Sequence, residues 1–177
     1  MRELDLFETD RLVLSGWRRD QIGDLVRLHG DPVVAAYLKS HGQPWSMVEM
    51  EDALDEWIAL FETRRLGKMR VTRKSDGALV GRCGYGVYGP NDEPELGYSL
   101  YPEYWGHGYA FEAAVGMRDW LFEETDMPFF WGSADTRNEA SLRILRGIGM
   151  RETHQEPEDD RMLQFHRLTR DQWLAMR

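Results

Sequence analysis

Residues 104–110 read YWGHGYA, a glycine-rich turn that follows a strand-like stretch and precedes a helix-like one. Glycines such as Gly106 and Gly108 let backbone N–H groups approach a ligand closely, and the start of a helix adds the positive end of its dipole. Such a turn suits a phosphate or pyrophosphate group. Downstream, Asn138 and Ser141 stand at helical spacing, where both side chains can face one ligand.

The periodicity of apolar residues around this turn predicts both strands and helices. Strands are predicted at 9–14, 68–73, 78–88, 95–100, 129–134, 150–153 and 162–168, and helices at 19–29, 33–38, 46–65, 110–124 and 139–146. Ser46 precedes Glu49 at the spacing of a capping box, and residues 156–161 are predicted to form a charged connection. The order indicates a mixed α/β sandwich around one sheet.

Composition predicts a single domain that spans residues 1–177. The chain is 42% hydrophobic, which is enough for a full core, and it has no repeat or Pro/Gly-rich linker. Cys83 is the sole cysteine, so no internal disulfide forms. The first residues lack the apolar core of a signal peptide, and no apolar run is long enough to span a bilayer. We therefore expect a cytoplasmic protein with no membrane partner.

The net charge of −9 argues against nucleic acid as a partner, because phosphate contacts need a basic surface. An acidic protein attracts cationic substrates such as amines, although the same charge also serves solubility alone. The five histidines and one cysteine lack the spacing of metal ligands, so no metal site is expected.

A second glycine segment, residues 84–89 (GYGVYG), matches the dinucleotide-binding pattern GxGxxG literally. That pattern must open a helix after the first strand of a βαβ unit. Here it lies within strand-like sequence and is followed by Pro90 and Pro94, so we interpret it as part of a strand. No GxxxxGK[ST] segment is present, which excludes an ordinary P-loop.

The segment WGHGYA (105–110) resembles the acyl-CoA signature [RQ]-x-x-G-x-[GA] of the GCN5-related N-acetyltransferases (GNAT). Residues 138–150 are similar to that family's N-x-x-S-x-x-v-l-x-x-x-G-[FM] segment. TDRL (9–12) and ELGY (95–98) resemble the RimJ/RimL-like branch of ribosomal-protein N-terminal acetyltransferases. The resemblance implies a GNAT-like acyl-CoA N-acyltransferase fold, which is a mixed α/β fold with a mostly antiparallel central sheet and flanking helices. One departure is Trp105 at the position of Arg or Gln, which resembles the aromatic that this branch often carries.

The resemblance implies that acetyl-CoA is the acyl donor. Its pyrophosphate is expected at the glycine-rich turn and its pantetheine arm along the preceding strand, where a backbone N–H near Leu100 would stabilise the oxyanion. A basic patch at Arg137, Arg143 and Arg146 either meets the 3′-phosphate or balances the acidic surface. The residues expected to contact the donor are Leu100, Tyr101, Trp105, Gly106, His107, Gly108, Tyr109, Ala110, Asn138 and Ser141.

The same resemblance implies Glu95 and Ser141 as catalytic residues. Glu95 is expected to accept the proton of the amine, directly or through water, and Ser141 to donate to the leaving thiolate. Glu93 is a second candidate for the base. Two alternatives stay open. Glu95 is then an ordinary edge-strand residue, and the Ser141 hydroxyl is bonded to its own helix. Leu145 stands where many relatives carry a tyrosine general acid, so no phenol is available there.

The function expected from these residues is acetyl transfer from acetyl-CoA to a primary amine by direct attack in a ternary complex. The acceptor is a protein N-terminus or a small amine, with polyamines and antibiotics as the small-molecule alternative. An acyl-CoA-binding sensor without catalysis is the alternative from another class. A homodimer is left open.

Overall fold

An eight-stranded sheet forms the centre of the computed structural model, which describes residues 4–177. The strands follow the spatial order β1-β2-β3-β4-β5-β6-β8-β7, and every neighbouring pair is antiparallel except β5 and β6. The predicted mixed, mostly antiparallel fold is confirmed. The strand bounds are β1 (Asp5–Glu8), β2 (Leu12–Ser15), β3 (Gly67–Arg73), β4 (Leu79–Tyr88), β5 (Glu93–Leu100), β6 (Phe129–Asp135), β7 (Arg151–Glu158) and β8 (Arg161–Thr169).

Six α-helices accompany the sheet within residues 4–177: α1 (Ile22–His29), α2 (Pro32–Ala35), α3 (Met47–Arg64), α4 (Tyr109–Glu124), α5 (Glu139–Gly147) and α6 (Arg170–Leu174). The capping box at the start of α3 is confirmed, because the Ser46 hydroxyl accepts from the Glu49 N–H and the Glu49 carboxylate accepts from the Ser46 N–H. In the described part of the chain, no helix has the length and apolarity needed to cross a membrane.

Three elements differ from the sequence prediction. Strand β1 and helix α6 were not predicted, since each is short. The predicted charged connection at residues 156–161 is wrong, because β7 and β8 continue as a hairpin through Glu158 and Arg161. Most of β7 is exposed, so it carries polar side chains on both faces and lacks the alternation that marks a half-buried strand. Residues 1–3, on which the expected lack of a leader partly rests, lie outside the described residues.

The two faces of the central strands meet different helices. On one face, the Tyr85 hydroxyl of β4 donates to the Met117 carbonyl of α4 at 3.1 Å. On the other face, Nε of Arg82 donates to Nε2 of His29 in α1 at 2.9 Å. Because successive side chains of a strand point to opposite faces, Lys68 and Arg70 of β3 share the second face, which α1 and α3 cover.

Strands β5 and β6 pair over a short distance and then diverge. They are in register as parallel neighbours at Glu95–Trp131 and Leu96–Gly132 only, although β5 continues to Leu100 and β6 to Asp135. Beyond Leu96, the edge of β5 that faces β6 therefore has no strand partner. The gap opens between the starts of α4 and α5, and it positions the candidate site.

Candidate active site in the gap between β5 and β6

A cleft of about 980 Å³ fills the gap between the diverging strands. On one side it is lined by the end of β5, the glycine-rich turn and the first turns of α4 and α5. On the other side it reaches the α1/α3 face of the sheet, where Lys68, Arg82 and Trp57 line it. The hairpin of β7 and β8 contacts the segment that follows α2, since the Arg161 guanidinium donates to the carbonyl oxygens of Tyr37 and Leu38. These three residues also line the cleft.

The backbone of β5 presents polar groups to this cleft. The Tyr101 N–H donates to the Val80 carbonyl, and the register of β4 and β5 is unbroken from there to Glu93. In an antiparallel pair only alternate residues exchange hydrogen bonds with the partner strand. Tyr101 is one of them, so the N–H and C=O groups of Tyr98 and Leu100 point away from β4, into the gap. Because Trp105 Nε1 already donates to the Leu100 carbonyl, the free edge on which an extended amide chain can pair consists of the Tyr98 N–H and C=O and the Leu100 N–H.

The glycine-rich turn ends in a helix start that has no side-chain cap. Gly106 and Gly108 both have φ of +77°, a conformation that strains any other L-residue. Gly108 is the N-cap of α4, and no side-chain hydrogen bond caps this helix. The N–H groups of Tyr109 and Ala110 therefore have no acceptor within the helix, and they lie at the positive end of its dipole. This arrangement binds anions such as pyrophosphate.

Eight of the ten residues predicted to contact the donor line the cleft. The exceptions are Tyr101 and His107. The Tyr101 hydroxyl donates to the Asp24 carbonyl of α1 at 2.7 Å, so this side chain is turned away, and the exposed His107 ring stacks on Tyr109. The eight that line the cleft are Leu100, Trp105, Gly106, Gly108, Tyr109, Ala110, Asn138 and Ser141.

The turn between β1 and β2 holds the glycine-rich turn in place. One carboxylate oxygen of Glu112 in α4 accepts from the Thr9 hydroxyl (2.6 Å) and the Arg11 N–H (2.9 Å), and the other accepts from Arg11 Nε (2.6 Å). Nη1 of Arg11 also donates to the His107 carbonyl at 3.0 Å. Burial alone would raise the pKa of Glu112, but the hydrogen bonds from Thr9 and Arg11 outweigh it and lower that pKa. The TDRL segment thus stabilises the turn from outside.

Asn138 and Ser141 lie at the start of α5, facing the glycine-rich turn across the cleft. The Asn138 side-chain oxygen accepts from the Ser141 N–H at 3.2 Å, so Asn138 caps the helix and only its NH₂ group is left for a ligand. The Tyr98 hydroxyl donates to the Ser141 carbonyl at 2.9 Å and ties α5 to β5. Burial raises the pKa of Tyr98 well above its ordinary value, so the phenol stays protonated. Leu145 is buried in the core.

The two candidate bases have different surroundings. Glu95 lines the cleft, and its Oε1 accepts from the Ser133 hydroxyl of β6 at 2.7 Å. Glu93 is outside the cleft lining, and its Oε2 accepts from Nε1 of Trp131 at 2.6 Å. Trp131 itself packs against Tyr88 and is not part of the cleft wall. The geometry therefore favours Glu95.

Lys68, Arg82 and His29 were not predicted from the sequence as site residues. Burial and the charge of Arg82 lower the pKa of Lys68 to about 8, and burial lowers the pKa of Arg82 to about 10. Burial, with the charges of Arg82 and Lys68, lowers the pKa of His29 to about 2, so its ring is neutral. One signal was present in the sequence: Arg82 is a charged residue between Val80 and Cys83, in the middle of a stretch that contains no other charge from Leu79 to Tyr88.

The predicted basic patch is largely neutralised by neighbouring carboxylates. Arg137 pairs with the buried Asp135 at 2.6 Å, and Arg146 pairs with Glu139 and Glu152. Arg143 lines the cleft without such a pair in residues 4–177. In the same residues, no three His, Cys, Asp or Glu side chains form a group that can hold a metal ion.

Comparisons with known proteins agree with this geometry. The family described as acetyltransferase (GNAT) domain matches residues 11–151. The uncharacterized Bacillus subtilis protein YkkB is 30% identical over 154 residues, which are 80% of this chain and 83% of that protein. The FsC-acetyl coenzyme A-N(2)-transacetylase of Aspergillus fumigatus is 33% identical over 95 residues, but these cover only 48% of this chain and 40% of that protein.

Solved structures share the fold. An acetyltransferase from Agrobacterium tumefaciens superposes with a TM-score of 0.78 at 25% identity, and the match covers 92% of each chain. The ribosomal-protein α-N-acetyltransferase RimL, in complex with coenzyme A, gives a TM-score of 0.75 at 14% identity over 93% of this chain and 97% of that one. With a family match over most of its length, the chain belongs to the acetyltransferase (GNAT) family.

Proposed function

We propose that this protein transfers an acetyl group from acetyl-CoA to a primary amine by direct attack in a ternary complex. The observation that carries the proposal is the divergence of β5 and β6, which leaves the Tyr98 backbone groups and the Leu100 N–H free beside the uncapped start of α4. One cleft thereby offers a strand edge for an amide chain and an anion site at its end. Coenzyme A has a matching amide chain, the pantetheine arm, and a matching anionic group, the pyrophosphate.

The residues along the cleft match successive parts of acetyl-CoA, from the pyrophosphate to the thioester. The N–H groups of the first turn of α4 bind the pyrophosphate, and the β5 edge pairs with the pantetheine amides. The Leu100 N–H lies where the thioester oxygen gains negative charge, and it stabilises that charge. The Asn138 NH₂ group binds the pantetheine arm or a water molecule, and Ser141 faces the sulfur. RimL, which shares this fold, was solved in complex with coenzyme A, which supports the assignment of the donor.

The reaction needs a neutral amine. An α-amino group with a pKa of ~8 is roughly one-tenth neutral at pH 7, so a modest base such as a carboxylate suffices. Glu95 accepts the proton, directly or through water, and the amine nitrogen forms a bond to the acetyl carbon as the carbon–sulfur bond breaks. The Ser141 hydroxyl relays to the thiolate the second proton, which the amine nitrogen loses as the amide forms, so the serine stays protonated. Overall, the ammonium and acetyl-CoA become the amide, CoA thiol and one proton.

The acceptor class stays a proposal, with protein N-termini and small amines both included. The names of two relatives, an N(2)-transacetylase and a ribosomal-protein α-N-acetyltransferase, support transfer to an amine. A sensor that binds acetyl-CoA without turnover is the competing function, but a carboxylate in the cleft at Glu95 favours catalysis.

Initial velocities measured while both substrates are varied test the mechanism. Direct attack predicts double-reciprocal lines that intersect and no acetyl group on the protein after incubation with acetyl-CoA alone. Parallel lines, together with a covalent acetyl-enzyme detected by intact-protein mass spectrometry, would contradict it.

A further inference from the structure

Two cationic side chains lie together over a glycine in the half of the cleft opposite α4 and α5. A side-chain carbon at Gly97 would be 2.7 Å from Nζ of Lys68 and 3.8 Å from Nη1 of Arg82. Both side chains line the cleft, and Arg82 is only 5% exposed. The glycine thus leaves room for two positive groups beside the reacting strand.

Neither cation forms a salt bridge within residues 4–177, although the charges of Glu95 and Glu56 act on Lys68. Lys68 donates to the backbone carbonyls of Gly84 and Glu95, both at 3.2 Å, and Arg82 donates through Nε to the neutral His29. On the same face of the sheet, by contrast, Arg70 pairs with Asp24 at 2.7 Å. A buried charge without an ion-pair partner is costly, which makes Arg82 unusual in a protein of net charge −9.

Buried donors without a hydrogen-bond partner collect at the same place. In the described part of the chain, Nη1 of Arg82, Nε1 of Trp45 and Nδ1 of His29 are buried and unpartnered. The His29 and Trp45 rings are in edge contact, with 4.3 Å between their centroids, and His29 contacts Arg82. Because buried polar groups are nearly always satisfied, unpartnered donors next to a cleft indicate a ligand that accepts hydrogen bonds.

We infer that the acceptor is a small amine that carries a carboxylate, and that Arg82 and Lys68 bind this carboxylate above Gly97. The inference rests on the proposed acetyl transfer. Lys68 has one N–H left after its two carbonyl contacts, and Nη1 of Arg82 is free, so the two cations offer donors to both oxygens of a carboxylate.

The position of the base agrees with this acceptor. Glu95 and Gly97 alternate on β5, so the Glu95 side chain leaves the sheet on the same face as the two cations. An amine at Glu95 and a carboxylate above Gly97 then belong to one small molecule that lies along β5. The positive charges also disfavour the protonated amine, which promotes the neutral nucleophile.

Matched acceptor pairs test the inference directly. Each amino acid of a panel is compared with its primary carboxamide, and thiol release from acetyl-CoA gives kcat/KM for both. We expect the wild-type protein to prefer carboxylates by at least roughly tenfold, the size of one charge-assisted hydrogen bond. In Arg82→Met and Lys68→Met that preference falls towards unity through the KM of the acceptor, while the KM of acetyl-CoA is unchanged.

Arg70→Met is the matched control, because it removes a cation from the same face but outside the cleft. It should keep the full carboxylate preference. Gly97→Ala adds a methyl group that displaces the flexible end of Lys68, so it lowers the preference without removing a charge. A cooperative thermal unfolding transition shows whether each variant is folded. If Arg82→Met does not fold, the comparison of Gly97→Ala with the wild-type protein tests the inference.

Equal kcat/KM for amino acids and their carboxamides in the wild-type protein would overturn the inference. A preference for amines that carry a phosphate would also overturn the inferred specificity for a carboxylate. These outcomes differ from failure of the proposed function, in which no amine of any kind releases thiol from acetyl-CoA.

Discussion

The indole Nε1 of Trp105 donates a 2.9 Å hydrogen bond to the carbonyl oxygen of Leu100. This bond joins the glycine-rich turn to the end of β5, so the proposed pyrophosphate and thioester sites are fixed relative to each other. Trp105 is half-exposed, and its ring is available to cover a ligand. The bond gives a structural role to the aromatic residue that replaces Arg or Gln in the acyl-CoA signature.

Trp105→Phe removes this hydrogen bond and keeps an aromatic ring. Because Leu100 loses its contact with the turn, we expect the KM of acetyl-CoA to rise by a factor of roughly 5–10, the value of one neutral hydrogen bond. Steady-state kinetics measure the change. Trp120→Phe, at the core side of α4, is the control and should leave this KM unaltered. An unchanged KM in Trp105→Phe would show that the contact does not organise the donor site.

Ala110→Glu separates anion binding from folding. A carboxylate in the first turn of a helix stabilises it by about 0.3–1 kcal/mol, yet here it would repel the pyrophosphate. We therefore expect an unfolding temperature that is equal or higher and a CoA affinity that is much lower, measured by calorimetric titration. Ala59→Glu, at an exposed position of α3, carries the same charge change and should bind CoA normally. Tight binding of CoA by Ala110→Glu would show that the pyrophosphate does not bind at this turn.

Ser141→Ala tests the proposed donor to the thiolate. Within residues 4–177 the Ser141 hydroxyl makes no hydrogen bond, and its N–H and C=O are held by Asn138 and Tyr98, so the helix should tolerate the change. We expect kcat to fall roughly 10–100-fold with little effect on CoA affinity, as for the loss of a charge-assisted bond. Ser75→Ala, in the turn between β3 and β4, is the control. A wild-type kcat would leave Ser141 without a catalytic role.

Glu95→Gln distinguishes the two candidate bases. Loss of a general base should lower kcat/KM by roughly 10²–10⁴ and remove the dependence of the rate on the ionisation of that carboxyl. Glu93→Gln keeps an acceptor for Trp131 and should change the rate little. The measurement is a pH profile of kcat/KM for both variants. A near-normal rate in Glu95→Gln, with a large loss in Glu93→Gln, would reverse the assignment.

Lys68→Met should stabilise the free protein at neutral pH. Lys68 has a pKa of about 8 in the folded chain, lowered by burial and by Arg82, against 10.5 for a free side chain. Its charge therefore opposes folding below pH 8, and this cost falls as the pH rises from 8 to 10.5. Unfolding in urea should give Lys68→Met an advantage on the order of 1–3 kcal/mol at pH 7 that shrinks by pH 10. Destabilisation of Lys68→Met at pH 7 would contradict the claim that the charge of Lys68 opposes folding.

The part of the cleft proposed to bind acetyl-CoA is predictable from sequence, because residues close together in the chain form it. The residues 104–110 and 138–141 are short segments whose glycines, helix starts and spacing indicate backbone geometry directly. Even there, the cap formed by Asn138 and the outward turn of Tyr101 depend on neighbours in space.

The part of the cleft proposed to bind the acceptor is not predictable from short segments, because residues distant in the chain form it. Lys68 and Arg70 alternate with Met69 and Val71, a pattern typical of a strand with one face in solvent. The helices α1 and α3 cover this face only in the folded chain, and there Lys68 and Arg70 become partly buried. The two strands of the β7–β8 hairpin were predicted, but the continuation of β7 to Glu158 was missed, because an exposed strand has no apolar pattern.

The most direct test is mass spectrometry of the protein incubated with acetyl-CoA and a mixed panel of amino acids, amino acid amides, polyamines, aminoglycosides and N-terminal peptides. We predict an acetylated amine formed in equal amount with free CoA thiol, and selection of the amino acids from the panel. Tight binding of acetyl-CoA with no acetylated product from any amine would contradict catalysis and favour a sensor.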